Sequence, residues 1–227
     1  MTSDVMSALV LTFKKKNVIM KTMSYFNSPI ATYVENGTQY SAQMRPSAKF
    51  DLKFIHNLIT SNKALVDRTE RVRSAEDMKK AKSRLLPFVT PYGRFEYRAS
   101  RYLIGLSGYM PVDIDHLEGE EEAKQIRDLM AKDEFLGVAL AYVSPSGKGV
   151  KLFINIKTEQ TGIYERIDGK PLNPEEIDKI TGWIQEKFHS VEYYIKHVYN
   201  IEIDKSGKDV CRACFICHDP EAKINID

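Results

Sequence analysis

The chain has 227 residues, of which 43% are hydrophobic and 28% are charged, and this is the composition of an ordinary globular protein. Its formal net charge of +2 at pH 7 does not identify a nucleic-acid-binding protein, so any basic surface must be local. No apolar run approaches the ~20 residues of a transmembrane helix, and the three cysteines are too few and too close together for a disulfide framework. We therefore expect no membrane partner and a cytoplasmic location.

The first 72 residues predict a small lobe. Alternating β-forming residues predict two strands, and a periodic apolar pattern predicts one helix. These elements are expected at residues 7–13, 17–26 and 50–61, respectively. We assign residues 1–72 to an N-terminal α/β lobe, or to a decoration on the main domain.

A second helix is predicted at the start of the main domain. Residues 74–86 have helical periodicity, with Ser74 as the expected N-cap and Pro87 immediately after the end. We assign residues 73–227 to one core domain.

From about residue 95 the predicted elements follow the order strand, helix, strand, strand, helix, strand. The longest helix is expected to begin after Asn173, with Pro174 at its first position. The final strand, loop and strand are expected within residues 201–220. This order predicts an α+β fold, in which an antiparallel or mixed sheet of the ferredoxin or RRM type is backed by helices.

Two aspartates end one of the predicted strands. Asp113 and Asp115 should share one face, because strand side chains alternate. Adjacent carboxylates repel each other unless a cation lies between them, and oxygen ligands suit Mg²⁺ or Mn²⁺. Asp204 follows a second strand of similar pattern. The three carboxylates would suit two metal ions ~3.5–4 Å apart, as in phosphoryl transfer; the alternative is a solvated strand end.

A loop of small residues joins the two central strands of the predicted sheet. Gly147 and Gly149 permit a close backbone approach, while Ser146, Lys148 and Lys151 offer hydrogen-bond donors. Lys151 is expected on the polar face of its strand, where a ligand could reach it. The loop could hold a phosphate, or it could be an ordinary hairpin turn.

Three cysteines spaced by three residues lie near the end of the chain, at Cys211, Cys214 and Cys217. Metal sites normally use four ligands, so Cys214 is more simply interpreted as a small apolar core residue, with metal binding as the alternative. Beside them, Arg212 and His218 are candidate contacts to a phosphate or a base.

Three segments together resemble a known family. Residues 82–117, 141–154 and 203–220 contain these motifs, and the likeness extends over about residues 75–222. They resemble the VirE N-terminal domain family of bacterial mobile elements, which is grouped with the archaeo-eukaryotic primase, or primase-polymerase, superfamily. The resemblance implies a primase-polymerase-like fold.

The same resemblance implies a two-metal nucleotidyltransferase of a mobile-element replication protein. Two Mg²⁺ or Mn²⁺ ions would be held by Asp113, Asp115 and Asp204. The expected partners are nucleoside triphosphates and a single-stranded DNA template, and each would contact its own set of residues. The expected nucleotide contacts are Ser146, Gly147, Lys148, Gly149, Lys151, Arg212 and His218.

Arg98 and Arg101 are the expected template contacts, although they could equally form a solvated strand face. The further expected partner is a helicase domain in the same or a neighbouring chain. The alternative function is a catalytically degenerate module that binds nucleotide or DNA, attached to a helicase or primase. Lys151 favours this alternative, because it stands where the superfamily commonly has a histidine. A weaker third hypothesis is a metal-dependent nuclease.

Overall fold

A computed structural model describes residues 21–156 and 170–226. The strand predicted at 7–13 and the first residues of the strand predicted at 17–26 lie outside this described part. Within it, the protein is α+β, with five α-helices and antiparallel sheets. None of the described helices combines the length and apolar character needed to cross a bilayer.

The first half of the described chain contains short strands and three helices. Their bounds are β1 (Thr22–Phe26), β2 (Tyr33–Glu35), β3 (Thr38–Tyr40), β4 (Ala48–Asp51), α1 (Leu52–Ser61), α2 (Lys63–Arg73), α3 (Met78–Leu85) and β5 (Phe88–Thr90).

The second half contains the longer strands and the two longest helices. Their bounds are β6 (Gly93–Phe95), β7 (Leu103–Leu106), β8 (Tyr109–Ile114), α4 (Glu120–Ala131), β9 (Val138–Val143), β10 (Val150–Asn155), α5 (Pro174–Tyr199), β11 (Cys214–Phe215) and β12 (Lys223–Ile224).

One four-stranded antiparallel sheet has the order β11-β5-β1-β4. Strand β1 therefore pairs with a strand beyond residue 73. Met23, Leu52 and Ile55 also share one apolar core with Val89 and Phe153. The N-terminal residues are thus packed onto the same body as the later ones.

The helix prediction over residues 74–86 placed its start too early. Asp77, not Ser74, is the N-cap of α3, and its carboxylate accepts the Lys80 backbone N–H at 2.9 Å. Ser74 is instead the C-cap residue of α2, a helix that was not predicted. Helix α2 buries only three residues, and this is too sparse a pattern to stand out in a highly charged segment.

A second four-stranded sheet has the order β12-β9-β10-β8, and all its pairs are antiparallel. Helix α4 connects β8 to β9, and α5 follows β10, so the predicted order is confirmed up to α5. Asn173 caps α5 through the expected side-chain hydrogen bond, with Pro174 at the first position.

The strand predicted directly after α5 is wrong. Residues 201–204 are irregular, and a 3₁₀ turn, Lys205–Lys208, follows them. The Asp204 backbone N–H nevertheless donates to the Asp113 carbonyl at 2.8 Å, which places residue 204 beside β8. Of the last predicted strand, only Cys214–Phe215 forms a ladder.

Alternation along β8 separates an apolar face from a polar one. Met110, Val112 and Ile114 pack into the core formed with α4 and α5. Asp113 lies on the opposite face, as the sequence predicted, and this face is turned toward residues from the first sheet and the C-terminal segment.

Asp133 joins the end of α4 to α5. Its carboxylate accepts hydrogen bonds from the Tyr194 and Tyr199 hydroxyls and from the backbone N–H groups of Phe135 and Leu136. Burial raises the pKa of Asp133, but these donors lower it more, so the pKa lies below its usual value of 3.8.

Asp133→Asn is expected to lower the free energy of unfolding by about 1 kcal/mol at neutral pH. Because the folded pKa is depressed, the ionised carboxylate contributes its stability above about pH 4 and loses it progressively as the pH falls further. Denaturant unfolding at several pH values should therefore show the difference between wild type and variant shrinking below about pH 4. A difference that stays constant into strong acid would contradict this role.

Candidate functional site

A polar cavity of about 410 Å³ lies on the aspartate-bearing face of β8 and β10. Its walls come from both sheets, from α3 and from the C-terminal segment. Four cationic and four anionic side chains line it, namely Lys82, Arg98, Lys151, Arg212, Asp113, Asp115, Asp204 and Asp209. The three predicted carboxylates therefore meet in one cavity.

Asp113 and Lys151 form a buried ion pair across two neighbouring strands. The two residues are direct partners in the β8–β10 register, and Lys151 Nζ lies 2.7 Å from Asp113 Oδ1. The side chains are only 10% and 11% exposed. Burial raises the pKa of Asp113, but Lys151 and Arg212 lower it more, so the carboxylate is ionised. Lys151 was expected to be open to a ligand, but it is engaged by Asp113.

Arg212 bridges two of the three carboxylates. Its Nη2 lies 3.2 Å from Asp113 Oδ2 and 2.9 Å from Asp204 Oδ2. Asp204 also accepts hydrogen bonds from the Ser206 backbone N–H and hydroxyl. Burial raises the pKa of Asp204, whereas Ser206 and Arg212 lower it below its usual value. Residues far apart in sequence are thereby fixed in one charge network.

Asp115 differs from the other two carboxylates. It is exposed, it lines the cavity, and it makes no ion pair or hydrogen bond within the described part of the chain. Asp115 is therefore the single carboxylate of the three that is open to an added cation. As arranged, the three residues do not fit two metal ions, because side-chain cations engage both oxygens of Asp113. Consistently, no group of three His, Cys, Asp or Glu residues in ranges 21–156 and 170–226 is spaced to hold a metal.

Two cations face the cavity without a carboxylate partner among the described residues. Lys82, from α3, makes no ion pair there, and its nearest aromatic contact is the Phe215 ring, at 5.8 Å. Burial and the neighbouring Lys151 charge lower its pKa, more than Asp115 and Asp113 raise it. Arg98 has a buried Nε without a hydrogen-bond partner among the described residues. Its Nη2 lies 3.7 Å from the Met44 sulfur, and its guanidinium lies 5.4 Å from the centre of the Phe88 ring.

Lys82 was not predicted as a site residue. It lies in a lysine-rich helix whose other lysines, Lys79 and Lys80, are exposed, and no spacing in the sequence distinguishes it. A weak signal was available, because position 82 lies on the same helical face as Met78 and Leu85. Only the packing of α3 against the C-terminal segment shows that its ammonium enters the cavity.

The loop after β9 contributes hydroxyl groups to the cavity wall. Ser144 and Ser146 line it, and their hydroxyls lie 3.1 Å apart. The turn is closed by the Ser144 N–H, which donates to the Gly149 carbonyl at 2.8 Å. Arg73 supports the turn from outside by donating to the Pro145 carbonyl.

Gly149 is required by a close backbone approach. A Cβ atom there would lie 2.5 Å from the Ile114 carbonyl oxygen, which cannot move without disturbing β8. Gly149→Ala is therefore expected to lower the free energy of unfolding by about 1–3 kcal/mol. Gly182→Ala is the matched control, because a Cβ there meets nothing within 4 Å and α5 should gain about 0.5–1 kcal/mol. Urea unfolding measures both changes in the free energy of unfolding. Equal changes for Gly149→Ala and Gly182→Ala would contradict a steric requirement for glycine at position 149.

Several predicted site residues lie away from the cavity. Gly147, Lys148 and Gly149 belong to the turn between β9 and β10 but do not line the cavity. His218 packs against α1 and α2, where its ring Nδ1 lies 2.9 Å from the Ile59 carbonyl oxygen. Arg101 is exposed, with its guanidinium 5.3 Å from the Tyr102 ring centre.

A second, smaller cavity of about 230 Å³ is lined by Arg45, Glu96, Tyr97 and Tyr102. The two tyrosine rings are partly exposed and meet edge to face at 5.7 Å. Tyr97 directly precedes Arg98, which lines the main cavity. The two cavities are therefore linked through the backbone at residues 97 and 98.

The cysteines are all free thiols. Cys214 is buried in the apolar core, as expected from the sequence, and Cys217 is buried in the same core. The Cys214 sulfur lies 3.3 Å from the Tyr142 hydroxyl, and the Cys217 sulfur contacts the Val143 carbonyl. Burial raises the pKa of Cys217 to about 12, so this thiol is protonated.

The chain was compared with known protein families, curated proteins and solved structures. A family described as BT4734-like, N-terminal domain, matches residues 80–223. This corrects the resemblance inferred from the motifs, because the matching family is neither a VirE N-terminal nor a primase family. No curated protein matches the chain, and no solved structure matches it.

Proposed function

We propose that this chain, which belongs to the family described as BT4734-like, N-terminal domain, binds the phosphate groups of a nucleotide or a nucleic-acid end. The observation that carries the proposal is the pair of cations, Lys82 and Arg98, that line the cavity without carboxylate partners in the described residues. A guanidinium and an ammonium with open donors are the groups that recognise phosphate.

The pairing of charges within the cavity leaves Lys82 and Arg98 for an anionic ligand, although Asp115 and Asp209 also line the wall. Asp113 and Asp204 are already neutralised by Lys151 and Arg212, so they do not repel an incoming phosphate strongly. Lys82, Arg98 and the hydroxyls of the 144–146 loop then remain as donors. The cavity volume, about 410 Å³, is within the usual range for a small-molecule site.

The nearby aromatic surface supports a nucleotide over inorganic phosphate. Tyr97 and Tyr102 expose ring surface on which a base could stack, a contact worth about 1–3 kcal/mol per base. Arg45 and Arg101 add positive charge beside these rings. Under this proposal Arg98 contacts a phosphate and Arg101 lies along the path of a single strand.

Titration calorimetry in EDTA tests the proposal. A nucleoside triphosphate and a 5′-phosphorylated single-stranded oligonucleotide should bind with a stoichiometry of one, and the corresponding nucleoside should bind much more weakly. Affinity should fall with added salt, as expected for phosphate contacts. Equal affinity for the nucleoside and the triphosphate would contradict the proposal.

We also propose a sheet type, a cellular location and a neighbouring enzymatic domain for this protein. The β8–α4–β9–β10–α5 order, with residue 204 beside β8, supports a sheet of the ferredoxin or RRM type. The free cysteines favour a cytoplasmic location. A helicase or primase domain in the same or a neighbouring chain would supply the activity that such a binding module serves.

A second candidate function is template-directed nucleotidyl transfer. The observation that favours it is the meeting of Asp113, Asp115 and Asp204 in one cavity. Their use by Mg²⁺ or Mn²⁺ stays a prediction, because Lys151 and Arg212 engage two of them. A primer-synthesis assay with Mn²⁺, single-stranded template and labelled triphosphates decides it. Product that is lost in Asp113→Asn supports transfer, whereas tight binding without product supports the binding module.

A further inference from the structure

Lys151 places a permanent cation among the three carboxylates. Its ammonium lies 2.7 Å from Asp113 Oδ1, and its charge acts on Asp115 and Asp204 as well. Burial lowers the pKa of Lys151, but Asp113 and its neighbours raise it more, so the ammonium stays charged. The residue itself is only 8% exposed.

The position of this ammonium is fixed by the fold. Lys151 stands directly opposite Asp113 in the antiparallel ladder and opposite Tyr142 on the other side. Converging carboxylates repel each other unless a cation neutralises them, and a divalent ion is the usual remedy. In this chain a covalently attached cation already supplies that charge.

We propose that Lys151 is the built-in counter-ion of this cluster, and that it makes the cavity a phosphate site that needs no divalent metal. Its removal should free Asp113 Oδ1 to bind a divalent cation together with Asp115, while Arg212 still engages Asp113 Oδ2 and Asp204. Lys151 is thus the residue that determines whether the cavity selects an anion alone or a metal. The part of this inference that concerns phosphate rests on the function proposed above, whereas the part that concerns metal binding does not.

The direct test is a Mn²⁺ titration followed by electron paramagnetic resonance, without nucleotide. Wild type should bind Mn²⁺ only weakly, and Lys151→Ala should bind one ion at least about a hundredfold more tightly, because a buried like charge has been removed. Lys148→Ala is the matched control, since this lysine is exposed in the turn just before β10 and lies outside the cavity; it should behave as wild type. The gain should disappear in the double variant Lys151→Ala/Asp113→Asn.

Two results would overturn the inference. One is tight Mn²⁺ binding by wild type that is lost in Asp113→Asn. The other is a folded Lys151→Ala variant with no gain in Mn²⁺ affinity.

The variant also leaves a buried carboxylate short of one partner, so it could unfold. Thermal unfolding followed by circular dichroism covers this case. Added Mn²⁺ should then raise the midpoint of Lys151→Ala, or restore its folding, without stabilising the double variant. A Lys151→Ala chain that Mn²⁺ cannot stabilise at all would count against the inference.

Nucleotide binding separates this inference from the proposed function. If wild type binds triphosphate equally well in EDTA and in Mg²⁺, both stand. If it binds only with Mg²⁺, the built-in counter-ion is refuted while phosphate binding survives. If it binds in neither buffer but Lys151→Ala gains Mn²⁺, the proposed function fails and the role of Lys151 in excluding metal holds.

Discussion

Arg127→Ala is expected to lower the free energy of unfolding by about 3–5 kcal/mol. The Arg127 side chain, on α4, is 1% exposed, and its Nη1 contacts both oxygens of Asp219, at 2.9 and 3.0 Å. Asp219 is 4% exposed and also accepts the Val143 backbone N–H. The variant would leave this carboxylate buried beside β9 without its charged partner. Urea unfolding followed by circular dichroism measures the loss.

The exposed pair of Arg71 and Asp67 on α2 provides the control. Its atoms are 3.6 Å apart and both side chains are more than half exposed, so Arg71→Ala should cost at most about 0.5 kcal/mol. Arg127→Met/Asp219→Asn removes both buried charges and keeps a side-chain oxygen that can accept the Val143 N–H, so it should recover part of the loss. Similar losses in the free energy of unfolding for Arg127→Ala and Arg71→Ala would show that the buried ion pair between α4 and the C-terminal segment contributes little stability.

Lys82→Ala is expected to weaken triphosphate binding by about 10- to 100-fold, because it removes a charged hydrogen bond to phosphate worth about 1.5–3 kcal/mol. Lys79→Ala is the matched control, since Lys79 lies on the same helix but is exposed and outside the cavity. It removes the same charge from the chain and should change the affinity little. Titration calorimetry at constant ionic strength measures both.

The pH dependence of binding gives a second readout for Lys82. Burial and the Lys151 charge lower the pKa of Lys82 in the free protein, and a bound phosphate should raise it again. The contribution of Lys82 is therefore fully present while its ammonium is charged, and it fades as the pH rises through that lowered pKa. Wild type should lose affinity on the alkaline side more steeply than Lys82→Ala. Parallel profiles, or equal losses in the Lys79 and Lys82 variants, would contradict a role for Lys82.

The longest regular elements could be predicted from local pattern. Helix α5 carries its capping box and terminal proline in sequence, and α4 begins with acidic residues. The order of elements from β8 to α5 followed from periodicity alone. Helix α2 did not, because its three buried residues form too sparse an apolar pattern in a charged segment. The irregular residues 201–204 did not either, because their conformation depends on contact with β8.

The three carboxylates of the cavity could be anticipated from the sequence, but their ion pairing and the presence of Lys82 could not. Alternation placed Asp113 and Asp115 on one face, and a repeated pattern pointed to Asp204. That Lys151 would neutralise Asp113 depends on the register of β8 against β10, which the sequence does not specify. The contribution of Lys82 depends on how α3 packs. Because of these two tertiary contacts, Lys151 and Lys82 bring positive charge into the cavity where the sequence predicted a metal cluster.

A crystal structure of the protein grown with a nucleoside triphosphate in EDTA would show directly where the phosphates bind. We expect phosphate oxygens within hydrogen-bonding distance of the Lys82 ammonium and the Arg98 guanidinium, with the Lys151–Asp113 pair intact. Phosphates bound at another surface, or an empty cavity at saturating ligand, would contradict it.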